Sequence, residues 1–171
     1  MLPMLIRASA KFQKQFPHEL EFGIPASKPF PHTWNVEVLP NGRSQIIVLA
    51  SEEQTLFPFL IATSRTRNLN TFLDAFRQRL LQFSKQIGIE LFNSQEAPQF
   101  TFAKRTNRSI IGSQNDQLLM IWHMLQASGK PAPFEKLLEI ERELHEMPMS
   151  YLAMACPLEA LRRKVASRRD T

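Results

Sequence analysis

The 171 residues are enough for one domain, and a composition of 43% hydrophobic and 22% charged residues is that of an ordinary folded protein able to bury a core. No run of about 18 apolar residues occurs, which excludes a membrane-spanning helix, and the lone Cys156 excludes an internal disulfide. The net charge of +5 is unevenly placed: residues 61–110 hold eight Lys or Arg against three Asp or Glu, while the flanking segments balance at five against five and eight against eight. A concentrated basic stretch favours anionic partners such as nucleic acid, a phosphorylated metabolite or an acidic protein surface.

The opening residues Met1–Ile6 are apolar but are interrupted by Arg7 and Lys11, and no small-residue cleavage site follows. No signal peptide is expected, and with a single cysteine the chain reads as cytoplasmic. Met4–Ala8 reads as a first strand, followed by an extended loop carrying Pro17, Pro25, Pro29 and Pro31. Trp34-Asn-Val-Glu-Val-Leu39 alternates apolar and polar residues, Asn41-Gly42 supplies a turn, and Ser44–Ala50 resumes the apolar pattern, which predicts a hairpin. Thr55–Ala62 reads as a third strand, Pro58 suiting an edge position, although Ser51-Glu-Glu-Gln54 also has the form of a capping box that would begin a short helix.

From Leu69 to Ile87 the residues Leu69, Phe72, Leu73, Phe76, Leu80, Phe83 and Ile87 trace one helical face, and Gly88 stands where a helix stops. A loop over Asn93–Pro98 leads to an alternating strand, Gln99–Ala103, with Phe100 and Phe102 facing a core. A second helix is marked by Leu118, Ile121, Trp122 and Leu125 and ends near Ser128-Gly129. A third carries Phe134, Leu137, Leu138, Glu141 and Leu144, and a fourth opens at Pro157. Strands gather early and helices late, which predicts a single α+β domain over residues 1–171. Its expected form is a small antiparallel sheet, the N-terminal hairpin or meander plus a strand near 99–104, packed against about four helices.

The most informative segment joins the last strand to the second helix, Lys104-Arg-Thr-Asn-Arg-Ser-Ile-Ile-Gly-Ser-Gln-Asn-Asp116. Ser113 followed three residues later by Asp116 has capping-box form, so the helix is expected to begin at Gly112–Asp116 and to present free N–H groups to an anion. Lys104, Arg105 and Arg108 can add charge-assisted hydrogen bonds, and Arg65, Arg67 and Arg77 would widen the field. The expected ligand-binding set is Lys104, Arg105, Asn107, Arg108, Ser109, Gly112, Ser113, Asn115 and Asp116. Helix capping and turn bonding account equally for Ser113, Asn107 and Asn115. One glycine and no Gly-Lys-Ser/Thr argue against a P-loop. His18, His32, His123 and His145 show no zinc spacing, so neither a metal nor a cofactor is expected. Glu141 and His145, four apart on a helix, read as a surface pair.

Across most of its length the chain resembles a bacterial and archaeal family of unknown function that carries the signature Thr-Asn-x-Arg-Ser-x-x-Gly-Ser-x-Asn-Asp. The matching residues are Thr106, Asn107, Arg108, Ser109, Gly112, Ser113, Asn115 and Asp116, with one fewer residue between Asn and Arg. Trp34, Thr55–Pro58, Met149–Leu152 and Pro157–Leu161 look like the same family. The resemblance implies a site at this segment and brings no activity with it. The expected function is therefore binding of an anionic ligand, nucleic acid or a phosphorylated group, at 104–116. A hydrolase or transferase acting on a phosphate-containing substrate is the alternative, with Arg108 stabilising charge and Asp116 acting as base. A protein-interaction module of a stress or phage-defence gene pair is a third.

Overall fold

The structure, a computed structural model, describes residues 3–91 and 98–169. The elements run β1 (Met4–Ala8), α1 (Ala10–Gln15), β2 (Thr33–Asn41), β3 (Gln45–Glu52), β4 (Pro58–Ser64), α2 (Leu69–Ile87), β5 (Phe100–Lys104), α3 (Arg108–Ser128), α4 (Phe134–Glu146), a 3-10 turn (Ser150–Leu152) and α5 (Pro157–Arg169). The class is α+β, with one five-stranded sheet in the order β4-β3-β2-β1-β5. The expected antiparallel sheet is mixed instead. β2, β3 and β4 form an antiparallel meander, whereas β1 lies between β2 and β5 and runs parallel to both. Long connections, residues 9–32 and 65–99, separate those parallel strands in sequence, and parallel pairing requires such crossovers rather than tight turns.

The hairpin forms as its Asn-Gly turn demands, with Gly42 at φ 80°. α2 begins and ends where expected: Asn68 caps its N-terminus and Gly88 closes it in the left-handed conformation at φ 67°. Three expectations change. Residues 10–15 are helical rather than extended, because Ser9 accepts a hydrogen bond from the Phe12 N–H and starts a turn before the first proline. The Ser51–Gln54 capping box begins no helix; β3 continues to Glu52, whose carboxylate holds the turn by accepting bonds from the Gln54 and Thr55 N–H groups and the Thr55 hydroxyl. α3 starts at Arg108, a full turn before Gly112, because Asn107 caps it by accepting from the Ser109 and Ile110 N–H groups. Most of the loop expected at Asn93–Pro98 lies outside the described residues.

Helices cover both faces of the sheet. On the first face Ile6, Trp34, Val36, Val48, Phe59 and Phe102 pack against Phe12 and Phe16 of α1, Phe72, Phe76, Leu80 and Phe83 of α2, and Leu161 of α5. Trp34 is fully buried, stacked on Phe59 at 4.6 Å and edge-on to Phe76 and Phe83. Each such buried side chain contributes roughly 1.5–3 kcal/mol of burial free energy. On the second face Leu39, Ile47, Leu49 and Leu60 meet Ile121 and Leu125 of α3 and Leu137, Ile140 and Leu144 of α4. Trp122, expected on the apolar side of α3, lies on its exposed side. Towards β1 and β5 the second face changes character and becomes polar. Among the described residues no helix is long and apolar enough to cross a membrane.

Candidate functional site

The strand registers bring the polar residues of the second face together. Arg7 stands opposite Asn35 across β1–β2, and Asn35 stands opposite Ser51 across β2–β3. Glu37 follows two residues beyond Asn35 on the same face, as the period-two alternation requires. Arg7, Asn35, Glu37, Ser51 and Glu53 are all buried: Gln114 and Gln117 of α3 reach Asn35 and Ser51, while Pro25 and Ser27 meet Arg7. From that helix Ile110, Ser113, Gln114 and Gln117 point inward.

The result is a connected polar layer. Arg105, just past β5, donates to Glu37 at 2.7 Å and to the Gln114 side-chain oxygen at 2.6 Å. Glu37 also accepts from the Ser9 hydroxyl at 2.6 Å. Gln114 donates to the Asn35 carbonyl at 2.8 Å, the Ser51 hydroxyl donates to Gln117, and Gln117 donates to the Leu56 carbonyl. Leu56 holds a left-handed backbone at φ 54°, an uncommon conformation for a bulky residue. Deeper in the layer Arg7 pairs with Glu53 at 3.0 Å and donates to the Pro25 carbonyl and the Ser27 hydroxyl.

Three N–H donors in this layer are buried yet find no acceptor among the described residues: Arg7 Nη1, Asn35 Nδ2 and Arg105 Nε. Leaving a buried donor unsatisfied costs about 1–3 kcal/mol; buried donors without a partner also occur outside this layer, at Arg77 Nε and Arg79 Nε. Beside the layer opens a recess of about 570 Å³ lined by Ser109, Gly112, Ser113, Asp116, Ser150 and Tyr151. Ser113 neighbours Gln114, and Tyr151 sits near enough to Glu53 and Glu52 for their charges to add to burial in raising its phenol pKa.

The expected site residues divide accordingly. Arg105 and Ser113 turn inward, whereas Lys104, Arg108 and Asn115 are exposed, and Ser109, Gly112 and Asp116 line the recess. Asn107 is the helix cap. The helix start expected at Gly112–Asp116 is corrected: the N–H groups there belong to the helix interior, and those of Ser109, Ile110 and Ile111 at the true start already donate to Asn107. The Gly112–Asp116 segment therefore offers no free helix-terminal N–H groups. Arg7, Asn35, Glu37, Glu53, Gln114 and Gln117 were missed by sequence reasoning. Their signal was there: an arginine inside an apolar strand, and two glutamines three apart in register with Ile110 and Ile121.

A second buried cluster lies at the β4 edge. Glu141 accepts from Arg79 and from the Leu60 N–H, Arg79 sits 5.0 Å over the Phe59 ring, and His145 stacks on Phe57 at 4.2 Å. The Glu141–His145 surface pair is therefore corrected: both are largely buried, and burial lowers His145 to about 4, so at neutral pH it carries no charge and its 3.9 Å approach to Glu141 is not an ion pair. Arg79 of α2 is ion-paired across to α4. Among the described residues no group of three or more His, Cys, Asp or Glu is placed to hold a metal ion.

A family model described as a domain of unknown function (DUF6933) matches residues 5–160. No curated protein and no solved structure matches the chain.

Proposed function

The chain belongs to the DUF6933 family, and from that premise we propose that its polar layer binds a small ligand through an anionic oxygen group, a phosphate or a carboxylate. The observation that carries this reading is the trio of buried, unpartnered donors Arg7 Nη1, Asn35 Nδ2 and Arg105 Nε on one face of the sheet. Two guanidinium groups and an amide supply the donor geometry that planar or tetrahedral oxyanions take up. Glu53 and Glu37 hold the two arginines in place while leaving those nitrogens to the ligand. The rest of the ligand would extend past Ser113 into the recess bounded by Ser109, Gly112, Asp116 and Tyr151. Lys104 and Arg108, exposed on either side of the Asn107 cap, would draw an anion in without touching it.

A hydrolase or transferase reading has one observation in its favour. The recess is lined by both a carboxylate, Asp116, and a phenol, Tyr151. Asp116→Asn would then abolish turnover of a phosphomonoester while leaving phosphate affinity intact.

Calorimetric titration with inorganic phosphate, small carboxylates and phosphorylated metabolites tests the binding itself. Asn35→Ala removes an unpartnered donor, so it should weaken binding about tenfold, the loss of roughly 1.4 kcal/mol expected for a charge-assisted bond, while leaving stability unchanged or higher. If none of these anions binds the native protein, or if Asn35→Ala destabilises it without altering binding, the layer is structural and the reading fails.

A further inference from the structure

Strand directions put four connections at the same end of the sheet. β4 runs parallel to β2, and β2 runs parallel to β1 and β5, so the segments following β1, β2, β4 and β5 all emerge there. These segments are residues 9–16, 41–44, 65–68 and 104–107, and they carry Lys11, Lys14, Arg43, Arg65, Arg67, Lys104 and Arg105 without one Asp or Glu. Arg105 turns inward to Glu37, and the other six are exposed. None of the six takes part in an ion pair among the described residues. The opposite end differs: the connections leaving β3 and α2 carry Glu53 and Glu90.

The six cations stand on neighbouring connections. Lys104 lies opposite Ala8, and Ala8 leads through Ser9 into α1 with Lys11 and Lys14. Gln15, at the end of α1, donates to the Arg65 carbonyl at 2.9 Å, and the Arg65 N–H donates to the Ser44 carbonyl at 2.9 Å beside Arg43. From β5 to β4 the connections span four strand spacings, roughly 19 Å at about 4.8 Å each.

We propose that this basic end of the sheet docks the phosphate backbone of double-stranded nucleic acid, independently of sequence. The chemistry selects that partner over other anionic surfaces. The exposed large apolar residues, Phe22, Ile24, Leu119, Trp122, Phe134, Tyr151 and Met154, lie outside the four connections, Phe134 alone opening a helix just after Ala132, whose N–H donates to Asn41 at this end, and Phe12 of α1 and its capping residue Phe16 are buried. A protein interface centres on apolar or aromatic residues, stable membrane attachment adds apolar insertion or a lipid anchor to a basic patch, and single-stranded nucleic acid is held on aromatic stacking platforms. A surface rich in cations without ion-pair partners suits a duplex, which presents about eleven charges over roughly 19 Å and binds through counterion release. This surface is separate from the buried arginine layer, and neither proposal depends on the other.

Fluorescence anisotropy with a labelled duplex of about 20 base pairs, and with a single strand of equal length, tests it between about 50 and 200 mM salt. The native protein should bind duplexes of unrelated sequence alike, with log affinity falling against log salt at a slope of roughly −4 to −5. Arg65→Glu with Arg67→Glu, and separately Lys11→Glu with Lys14→Glu, should each lower affinity by at least about tenfold. Arg162→Glu with Arg163→Glu on α5 makes the same change in net charge and should alter affinity by less than about threefold. Circular dichroism establishes that each variant is folded. The proposal is overturned if the duplex does not bind at the lowest salt, if the α5 variant loses as much as the other two variants, or if the single strand binds more tightly than the duplex.

Discussion

Two buried titratable side chains give the fold opposite responses to acid. Burial pushes Glu52 up to about 7, against the hydrogen bonds it accepts from Thr55 and Gln54. The folded state therefore binds its proton more tightly than the unfolded chain, so its contribution is complete below about 4.5 and is lost as pH rises to about 7. His145 runs the other way: lowered to about 4 from 6.5, it stabilises the fold above 6.5, and that contribution is lost as pH falls towards 4. Glu52→Gln keeps an acceptor for the same turn, and its stability relative to the native protein should rise between pH 4.5 and 7, measured by urea unfolding of both across that range. His145→Phe keeps the stack on Phe57 and should shrink the acid-side loss, with stability at pH 7 changed by less than about 1 kcal/mol. Neither titration was legible in the sequence. Glu52 sat in what looked like a capping box, and Glu141 and His145 looked like a surface pair until β4 and α2 enclosed them.

At the scale of elements, α3 decides where the proposed site would lie. Asn107→Ala should destabilise the protein by about 1 kcal/mol, the usual cost of losing a side-chain cap, in thermal or denaturant unfolding. Ser113→Ala should cost much less by the same route, since Ser113 caps nothing and lies within the helix. The reverse ranking would return the helix start to Gly112. Both Asn107 and Ser113 are good caps in sequence, and an apolar pattern beginning at Leu118 could not choose between them. What chooses is Ile110, which buries against Leu56 and Met149 and so draws the preceding turn into the helix. α2 was readable throughout because its seven apolar residues span five turns and both caps are local. α1 was not, being six residues long and dependent on Phe12 and Phe16 finding Phe72 across the core.

For the whole molecule, the alternation in Trp34–Leu39 correctly gave a strand but could not say what covers its polar face. A period of two separates the faces without telling water from a second layer of helices. Since α3 and α4 cover that face, Asn35 and Glu37 become interior residues, and a pattern that reads as solvent exposure becomes a polar site. The parallel placement of β1 was equally hidden, because it follows from long crossovers rather than from any local signal. Yet that placement sets Arg7 beside Asn35, brings Arg105 over Glu37, and gathers the basic connections at one end. Its most direct test is a crystal structure grown with inorganic phosphate at low ionic strength. The account predicts phosphate oxygens about 2.7–3.2 Å from Arg7 Nη1, Asn35 Nδ2 and Arg105 Nε; those donors bound only to water, with phosphate confined to the exterior, would contradict it.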